Sequence, residues 1–129
     1  MTLHIKGGQK YVAAEMDIEG DWSSASNFLV AGAVFGRVDL KGLDTRSLQA
    51  DLSIMDILME AGASLSQLVD DDPKGDIHVQ RAPLSAFEVD ANNCPDLFPI
   101  ISVLAAFCQG TSKIGGVGRL ANKESDRGK

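Results

Sequence analysis

The sequence is poor in basic residues and contains no long apolar run. Twelve lysines and arginines stand against eighteen aspartates and glutamates, so the net charge is −6 and the isoelectric point is near 4.7. Nucleic-acid-binding proteins present a basic patch or stripe, and we therefore expect no nucleic-acid partner. The longest apolar stretches, at 28–35 and 98–107, fall well short of the roughly 20 residues that cross a bilayer, so we expect no membrane segment.

Cysteine is also scarce, since Cys94 and Cys108 are the only two in the sequence. Their spacing fits neither a metal site nor a disulfide framework. The N-terminal residues lack the apolar stretch and small-residue cleavage site of a secretory signal, and we expect a reducing, cytoplasmic location. What is present is a hydrophobic content of 44% in 129 residues, enough for the core of one ordinary domain.

Helical and extended patterns alternate along the first two thirds of the chain. The segment 11–19 is predicted to be extended, and "SASNFLVAGAVFG" to form a helix that ends at Gly36. Strands are predicted at 37–43, 64–69 and 76–82, and the polar turn "DDDPKG" joins the last two as a hairpin. Between the strands at 37–43 and 64–69, a second helix is predicted over 47–63. Its apolar stripe is formed by Leu48, Leu52, Met55, Leu58 and Met59.

The same order of elements then begins again. Residues 86–90 are predicted to be extended, 91–110 to form a helix that stops at Gly110, and 111–120 to be extended. We therefore predict an α+β fold of βαβαββ repeats, with repeat one at about 11–82 and a truncated repeat two at about 86–129. About one and a half repeats are present. The chain stops inside the second repeat, so it is predicted to be a piece of a larger protein.

The terminal stretch "NKESDR" is the first candidate site. On a helix, Lys123 and Arg127 are four residues apart and share one face, and Glu124 lies three residues before Arg127. Two cations near a helix N-terminus suit an anionic ligand, because free backbone N–H groups and the helix dipole add to their charge. The alternative is a solvated helix start with exposed ion pairs.

The stretch "NNCPDLFP" is the second candidate site. Asp96 follows Pro95 in the first turn of an apolar helix, where a carboxylate at the mouth of a cleft can act as a general base. The alternative is simple capping, since proline and aspartate are both favoured in a first turn.

The remaining polar clusters favour structural roles. Asp21, Ser23 and Ser24 are more typical of helix capping than of an anion cradle, and His78 is expected to be a surface or packed imidazole. The acidic run 70–72 indicates a turn rather than a metal site. The stretch "GGVG" at 115–118 lacks the ending of a phosphate-binding loop and indicates a close approach of two backbones.

Four stretches, "EGDWSSASNFLVAGAVFG", "LDTRSLQAD", "PDLFPIISVLAAFCQGTSKIGGVGRL" and "NKESDR", together resemble the C-terminal domain of the 5-enolpyruvylshikimate-3-phosphate synthase family. The resemblance implies a monomeric two-domain enzyme of the shikimate pathway, of the inverse half-barrel type, in which each domain has three repeats with helices inside. The enzyme transfers the enolpyruvyl group of phosphoenolpyruvate to the 5-hydroxyl of shikimate 3-phosphate and releases phosphate. No metal and no organic cofactor is implied.

The resemblance also implies roles for individual residues. Asp96 corresponds to the carboxylate that accepts the hydroxyl proton, and Glu124 to the acid that moves a proton at the enolpyruvyl methylene. Lys123 corresponds to a lysine near the reacting centre. Arg127 corresponds to an arginine that clamps phosphoenolpyruvate with its planar fork. Arg119 is a departure, because it lies where many members have a small polar residue that contacts shikimate 3-phosphate; we count it as a candidate substrate-binding residue.

Two alternative functions remain open at this point. One is a UDP-N-acetylglucosamine enolpyruvyltransferase, which shares the architecture but is expected to carry a different acidic motif; the other is a non-catalytic ligand or interaction domain of the same fold. If the chain belongs to the 5-enolpyruvylshikimate-3-phosphate synthase family, the isolated chain is expected to be inactive, because most of the cations of the site would lie outside it. The split repeat is expected to expose Phe98, Ile101 and Leu104 and so to favour self-association.

Overall fold

The computed structural model describes residues 2–68 and 75–122. Within them the chain forms three α-helices and five strands, so the predicted α+β class is confirmed. The helices are α1 Trp22–Phe35, α2 Ile54–Glu60 and α3 Phe98–Phe107. The strands are β1 Arg37–Leu40, β2 Ser64–Leu68, β3 Asp76–Gln80, β4 Glu88–Asp90 and β5 Lys113–Gly115. Short 3-10 turns occupy Ala50–Ser53, Pro95–Leu97 and Val117–Asn122.

Strands β1, β3 and β2 form an antiparallel sheet in that order. Val79 at its centre lies opposite Val38 on one side and Leu65 on the other, and Ile77 and Val79 are buried against the helices. The pairing of β2 with β3 confirms the predicted hairpin, whose turn falls on residues outside the described ranges. The alternation of polar and apolar residues places one face of this sheet in the core and the other in solvent.

Strands β4 and β5 form a separate parallel pair, in which Val89 lies opposite Ile114. Helix α3 makes the connection between them, as parallel strands require a crossover. An isolated parallel bridge between Ser85 and Gln109 lies before the pair. One hydrophobic core joins both sheets and all three helices; its fully buried large side chains include Trp22, Leu29, Ile54, Leu58, Ile77, Leu97, Ile101 and Leu104.

Helix α1 ends at the predicted glycine and begins at Trp22, two residues before the predicted stretch. The side chain of Asp21 accepts hydrogen bonds from the backbone N–H groups of Ser23 and Ser24, which confirms the capping interpretation, and Gly36 follows the last helical residue. Gly32 lets the helix lie directly on the sheet, because a Cβ at this position would come within 2.6 Å of Val79 and 3.1 Å of Val38. The helix is thereby fixed against the buried face of β1 and β3.

The segment 11–19 does not form the predicted strand, although it lies within the described residues. Tyr11, Val12, Met16 and Ile18 are all strongly exposed. A strand needs a neighbouring strand to satisfy its backbone N–H and C=O groups, and none of the described strands pairs with this segment. The prediction of a strand at 11–19 is therefore wrong for this structure.

The second helix is shorter than predicted, because its first residues are used as an anchor for α1. The amide side chain of Gln49 accepts from the backbone N–H of Trp22 and donates to the carbonyl of Gly20. The hydroxyl of Ser47 accepts from the N–H of Gln49, a local bond that competes with helix formation. Helix α2 consequently begins at Ile54. Leu48 and Met59 of the predicted stripe are exposed, and the buried positions are Ile54, Ile57 and Leu58.

The second half also differs in detail from the prediction. Helix α3 and the 3-10 turn before it begin at Pro95 rather than at residue 91, and only Lys113–Gly115 of the predicted extended segment 111–120 is a strand. The expected exposure of Ile101 and Leu104 is wrong, because α3 turns both into the core, and Phe98 is only partly exposed. The exposed large apolar residues of α1 and α3 are Phe28, Phe35, Val103 and Phe107 instead.

The rings of Phe35 and Phe107 meet edge to face, with 5.2 Å between their centroids. Among residues 2–68 and 75–122, no helix is long and apolar enough to cross a membrane. The division into a first repeat at 11–82 and a second from residue 86 stays a prediction.

Candidate active site

The carboxyl ends of β4 and β5 create the candidate site. The two strands are parallel and in register, with Asp90 opposite Gly115, so the segments that follow them leave from the same edge. We call this edge, with residues 91–97 and 116–122, the carboxyl edge. Backbone groups at such an edge are no longer occupied by the ladder, which is why ligands commonly bind there in parallel sheets.

Asp96 lies on the carboxyl edge, in the 3-10 turn Pro95–Leu97 that runs into α3. Pro95 is at a favoured first-turn position, and the neighbouring Leu97 is fully buried and fixes the turn in the core. The Asp96 carboxyl is exposed. A first-turn carboxylate is stabilised by the helix dipole, and an exposed one can reach a bound hydroxyl, so the structure is compatible with both the capping and the general-base interpretation.

Arg119 lies on the second segment of the same edge. Its Nη1 donates a hydrogen bond of 2.9 Å to the backbone carbonyl of Asn92, four residues before Asp96. The N–H of Asn92 is in turn bonded to Oδ1 of Asp90 at 3.0 Å. Both backbone groups of Asn92 are therefore held by side chains, one from the end of β4 and one from the 3-10 turn after β5.

Gly116 brings the two segments of the carboxyl edge into contact. Its φ of +93° favours glycine, and a Cβ here would lie 2.7 Å from the backbone nitrogen of Asn92 and 3.0 Å from the carbonyl carbon of Ala91. The backbone N–H of Ala91 also donates to the carbonyl of Gly115 at 3.1 Å. The close backbone approach predicted from "GGVG" is confirmed.

The two cysteines are free thiols with no sign of nucleophilic activation. Cys94 is a buried residue of the carboxyl edge, and burial, followed by the nearby carboxylate of Asp51, raises the pKa of its thiol. Burial likewise raises the pKa of Cys108. Because the thiolate is the reactive form, neither residue is suited to attack a substrate at neutral pH.

Three of the predicted site residues, Lys123, Glu124 and Arg127, lie outside the described residues. The last described segment, Val117–Asn122, starts at the carboxyl edge and ends one position before Lys123. The structure thus brings the segment that carries Asp96 together with the segment that carries Arg119. It places neither Asp96 nor Arg119 relative to the predicted site residues beyond Asn122.

A second polar cluster lies on the solvent face of the antiparallel sheet. His78 Nδ1 is 2.6 Å from Oδ1 of Asp39, and Arg37 Nε donates to the same oxygen at 3.0 Å. The hydrogen bond with His78, and then the one with Arg37, lowers the pKa of the Asp39 carboxyl. A shallow depression of about 200 Å³ beside them is lined by Arg37, Ser64, Ser66, His78, Val79 and Gln80. His78 is thus a surface imidazole, as the sequence predicted.

Within the described ranges, no group of three or more histidine, cysteine, aspartate or glutamate side chains could hold a metal ion.

Sequence reasoning missed Asp90 and the backbone of Asn92 as parts of the carboxyl edge. The available signal was the Asp-x-Asn spacing after a strand, because an aspartate side chain commonly accepts from the N–H two residues on.

Comparison with known proteins places this geometry in a family. The sequence model of the family described as EPSP synthase (3-phosphoshikimate 1-carboxyvinyltransferase) matches residues 1–129. A 3-phosphoshikimate 1-carboxyvinyltransferase of Clostridium acetobutylicum is 41% identical over 126 residues, and one of Pyrococcus furiosus is 46% identical over 127. Each alignment includes 98% of this chain, but the chain spans only 28% and 29% of the length of these relatives.

Solved structures show the same likeness. An EPSP synthase from Acinetobacter baumannii superposes with a TM-score of 0.74 and 28% sequence identity, and the match covers 93% of this chain and 29% of that one. A second structure of EPSP synthase from Acinetobacter baumannii gives a TM-score of 0.70 at 25% identity. On the family match across its whole length, the chain belongs to the EPSP synthase family and corresponds to somewhat under a third of its relatives.

Proposed function

We propose that this chain is part of an enzyme that transfers the enolpyruvyl group of phosphoenolpyruvate to the 5-hydroxyl of shikimate 3-phosphate and releases phosphate. Family membership supports the reaction. The observation that carries the location of the site is the carboxyl edge, where the turn bearing Asp96 is packed against the segment that continues into Lys123. Asp96 and the "KESDR" motif are separated by a whole helix and a strand in sequence, and the described packing brings the turn of Asp96 to the segment Val117–Asn122, which the motif follows in sequence.

In the proposed reaction, the 5-hydroxyl oxygen attacks the central carbon of phosphoenolpyruvate while Asp96 accepts its proton. Glu124 delivers a proton to the methylene carbon, and a tetrahedral intermediate forms. Loss of phosphate, with return of a proton from the methyl group, gives the enolpyruvyl ether. Lys123 and Arg127 supply positive charge to the phosphate and carboxylate groups, an electrostatic contribution that is strongest where water is excluded. The roles of these side chains in forming one C–O bond and breaking the other are proton transfer and charge stabilisation, and the resemblance implies no metal or organic cofactor.

The isolated chain is expected to be inactive. Two polyanionic substrates need cations from more than one side, and catalysis depends on groups that bind the transition state more strongly than the substrates. The chain spans less than a third of the relatives it matches, so most of such a site would lie outside it. If the purified 129-residue chain released phosphate when mixed with phosphoenolpyruvate and shikimate 3-phosphate, this expectation would be contradicted.

The proposed role of Asp96 is tested by Asp96→Asn in a full-length protein that contains this chain. Loss of a general base reduces turnover by about 10²- to 10⁴-fold, so we expect kcat to fall within this range while shikimate 3-phosphate still binds, as measured by calorimetry. Asp17→Asn, which neutralises an exposed carboxylate of the segment before α1, is the matched control. Unchanged kcat in Asp96→Asn would refute the role.

The choice of acceptor separates the alternative functions. We expect the full-length protein to form an enolpyruvyl product with shikimate 3-phosphate and none with UDP-N-acetylglucosamine. Product formation with only the second acceptor would support the related transferase. No product with either, together with a wild-type fold by circular dichroism, would support a non-catalytic domain.

We also propose that the full-length protein is a cytoplasmic monomer and that the isolated chain self-associates. The free thiols fit a reducing compartment. The rings of Phe35 and Phe107, which are 68% and 50% exposed, contact each other across α1 and α3, and Phe28 and Val103 are further exposed apolar residues of the same two helices. Phe107→Ser is expected to lower the average mass of the isolated chain in sedimentation, whereas Val117→Ser, at an exposed apolar residue of the carboxyl edge, leaves it unchanged.

A further inference from the structure

Arg119 makes a contact that differs from the one its position in the family suggests. Its guanidinium donates to a backbone carbonyl, that of Asn92, rather than to a carboxylate side chain. A bond from a charged donor is stronger than a neutral one, so it holds this carbonyl firmly. The positive charge of Arg119, at the edge of the candidate site, is thereby bonded to a backbone group of the same chain.

Asn92 is held at three points. Its N–H is bonded to Asp90, its carbonyl to Arg119, and its backbone nitrogen lies against Gly116 too closely for any side chain to fit between them. Asp90 belongs to the end of β4, whereas Arg119 and Gly116 follow β5. The turn after one strand is therefore locked to the turn after the other.

The position of Asn92 is transmitted to Asp96 through a short and rigid stretch. Cys94 and Leu97, on either side of Pro95 and Asp96, are 3% and 0% exposed. The N–H of Cys94 bonds the carbonyl of Ala91 and that of Leu97 bonds the carbonyl of Cys94, so the turn has little freedom of its own. Moving the Asn92 carbonyl would move the start of the 3-10 turn that carries Asp96.

We propose that Arg119 is a positioning residue: by its bond to the Asn92 carbonyl it sets the turn of Asp96 against the segment that runs into Lys123. This inference rests on the proposed function, in which Asp96 is the general base. It replaces the sequence-based prediction that Arg119 binds shikimate 3-phosphate. A carbonyl needs one N–H donor rather than a fork, so lysine can retain part of the effect and glutamine or alanine cannot supply the charge.

Steady-state kinetics of the full-length protein separate positioning from substrate binding. Misplacement of a catalytic group by about 1 Å can cost on the order of 10²-fold in rate, so we expect Arg119→Gln to lower kcat by about 10- to 100-fold with little change in KM for shikimate 3-phosphate. Arg119→Lys is expected to recover part of the loss. A rise in KM with kcat unchanged would instead identify a substrate contact and overturn the proposal.

The double variant Asp96→Asn with Arg119→Gln gives a second, independent measure. If Arg119 acts through Asp96, then Arg119→Gln lowers kcat in the wild-type background but has little further effect once Asp96 is replaced. Equal losses in both backgrounds would overturn the proposal. Lys113→Gln is the matched control, because Lys113 lies at the opposite end of the β4–β5 pair, where its ammonium reaches Glu88 at 3.4 Å; it is expected to leave kcat and KM unchanged.

Amide hydrogen exchange tests, without reference to activity, whether the bond from Arg119 to the Asn92 carbonyl holds the turn of Asp96 in place. We call this bond the clamp. Arg119→Gln is expected to speed exchange at Asn92–Cys94 and Leu97 by about tenfold or more, while Lys113→Gln is not, because loss of the clamp frees the turn. Unchanged exchange in Arg119→Gln would overturn the proposal whatever the kinetics show. If exchange rises but the wild-type protein forms no enolpyruvyl product, the clamp stands and the proposed function fails.

Discussion

The antiparallel sheet β1–β3–β2 and the parallel pair β4–β5 are held together by different means. In the antiparallel sheet, four residue pairs join β1 to β3 and five join β2 to β3. Strands β2 and β3 form a hairpin, and α1 covers the buried face of the sheet. The parallel pair has three residues in each strand, with α3 between them in sequence, and it relies on Gly116 and Arg119 to fix the segments beyond its carboxyl ends.

This difference separates framework from site. The alternation of polar and apolar residues is sufficient for the antiparallel sheet, and on its solvent face Arg37, Asp39 and His78 bond one another. The carboxyl edge depends on individual contacts between segments far apart in sequence. Such contacts leave side chains such as Asp96 exposed on a fixed turn, and the role proposed for Asp96 requires this.

The largest expected effect tests whether the two regions share one core. Leu29 of α1 and Leu104 of α3 are both fully buried, and truncating such a leucine costs about 2 to 5 kcal/mol. We expect Leu29→Ala and Leu104→Ala each to lower the free energy of unfolding of the chain by this amount, with a single transition by circular dichroism during urea denaturation. Two separate transitions in Leu104→Ala would show that the regions unfold independently.

A somewhat smaller loss in the free energy of unfolding is expected from Gly116→Ala, which disturbs only the region of the parallel pair. The positive φ and the contact with the Asn92 backbone together should cost about 3 kcal/mol. Gly118→Ala is the matched control, since no atom would contact its Cβ and no strained φ is present; we expect a change within about 0.5 kcal/mol. Equal urea midpoints for the two variants would remove the argument for a close approach at the carboxyl edge.

The smallest effect is the pH dependence of the framework. The pKa values of Asp21 and Asp39 are both lowered from 3.8, the first mainly by the Ser24 hydroxyl and the second mainly by His78. A carboxyl whose pKa is depressed by folding stabilises the protein above its unfolded pKa, and this contribution disappears as the pH falls through the folded pKa.

We therefore expect the free energy of unfolding to decline between about pH 5 and pH 2, and Asp39→Asn to make that decline shallower. Asp17→Asn, at an exposed carboxylate of the segment before α1, is the control. Urea denaturation across this range measures the slope. An identical slope in Asp39→Asn and wild type would show that the contact with His78 contributes nothing to stability.

The parts of the fold that sequence predicts well are those with local causes. Asp21 and Gly36 bound α1 by capping chemistry, and β2 and β3 alternate as adjacent strands do. The helix predicted from residue 47 fails at its start because Gln49 serves Trp22 and Gly20, which are close in space but not in sequence. The strand predicted at 11–19 lacks a partner among the described strands, and no local pattern supplies one.

The candidate site follows the same rule. The first-turn position of Asp96 and the backbone contact of Gly116 could be predicted from proline and glycine patterns alone. The bond from Arg119 to Asn92 could not, because it depends on the register of β4 with β5 and on the path of the 3-10 turn that follows. The substrate contact that the family resemblance implies for Arg119 stays a prediction, and the structure shows that its guanidinium has a partner within the protein.

Trp22 has a practical consequence for anyone who follows this protein by light. It is the single tryptophan of the sequence, it is fully buried, and its indole Nε1 donates to the carbonyl of Asp44 at 3.0 Å. Emission excited at wavelengths that only indole absorbs therefore reports the surroundings of α1, and the region around Asp96 contributes no signal of its own. A ligand that binds at the carboxyl edge could leave this spectrum unaltered, so a silent titration would not count against binding.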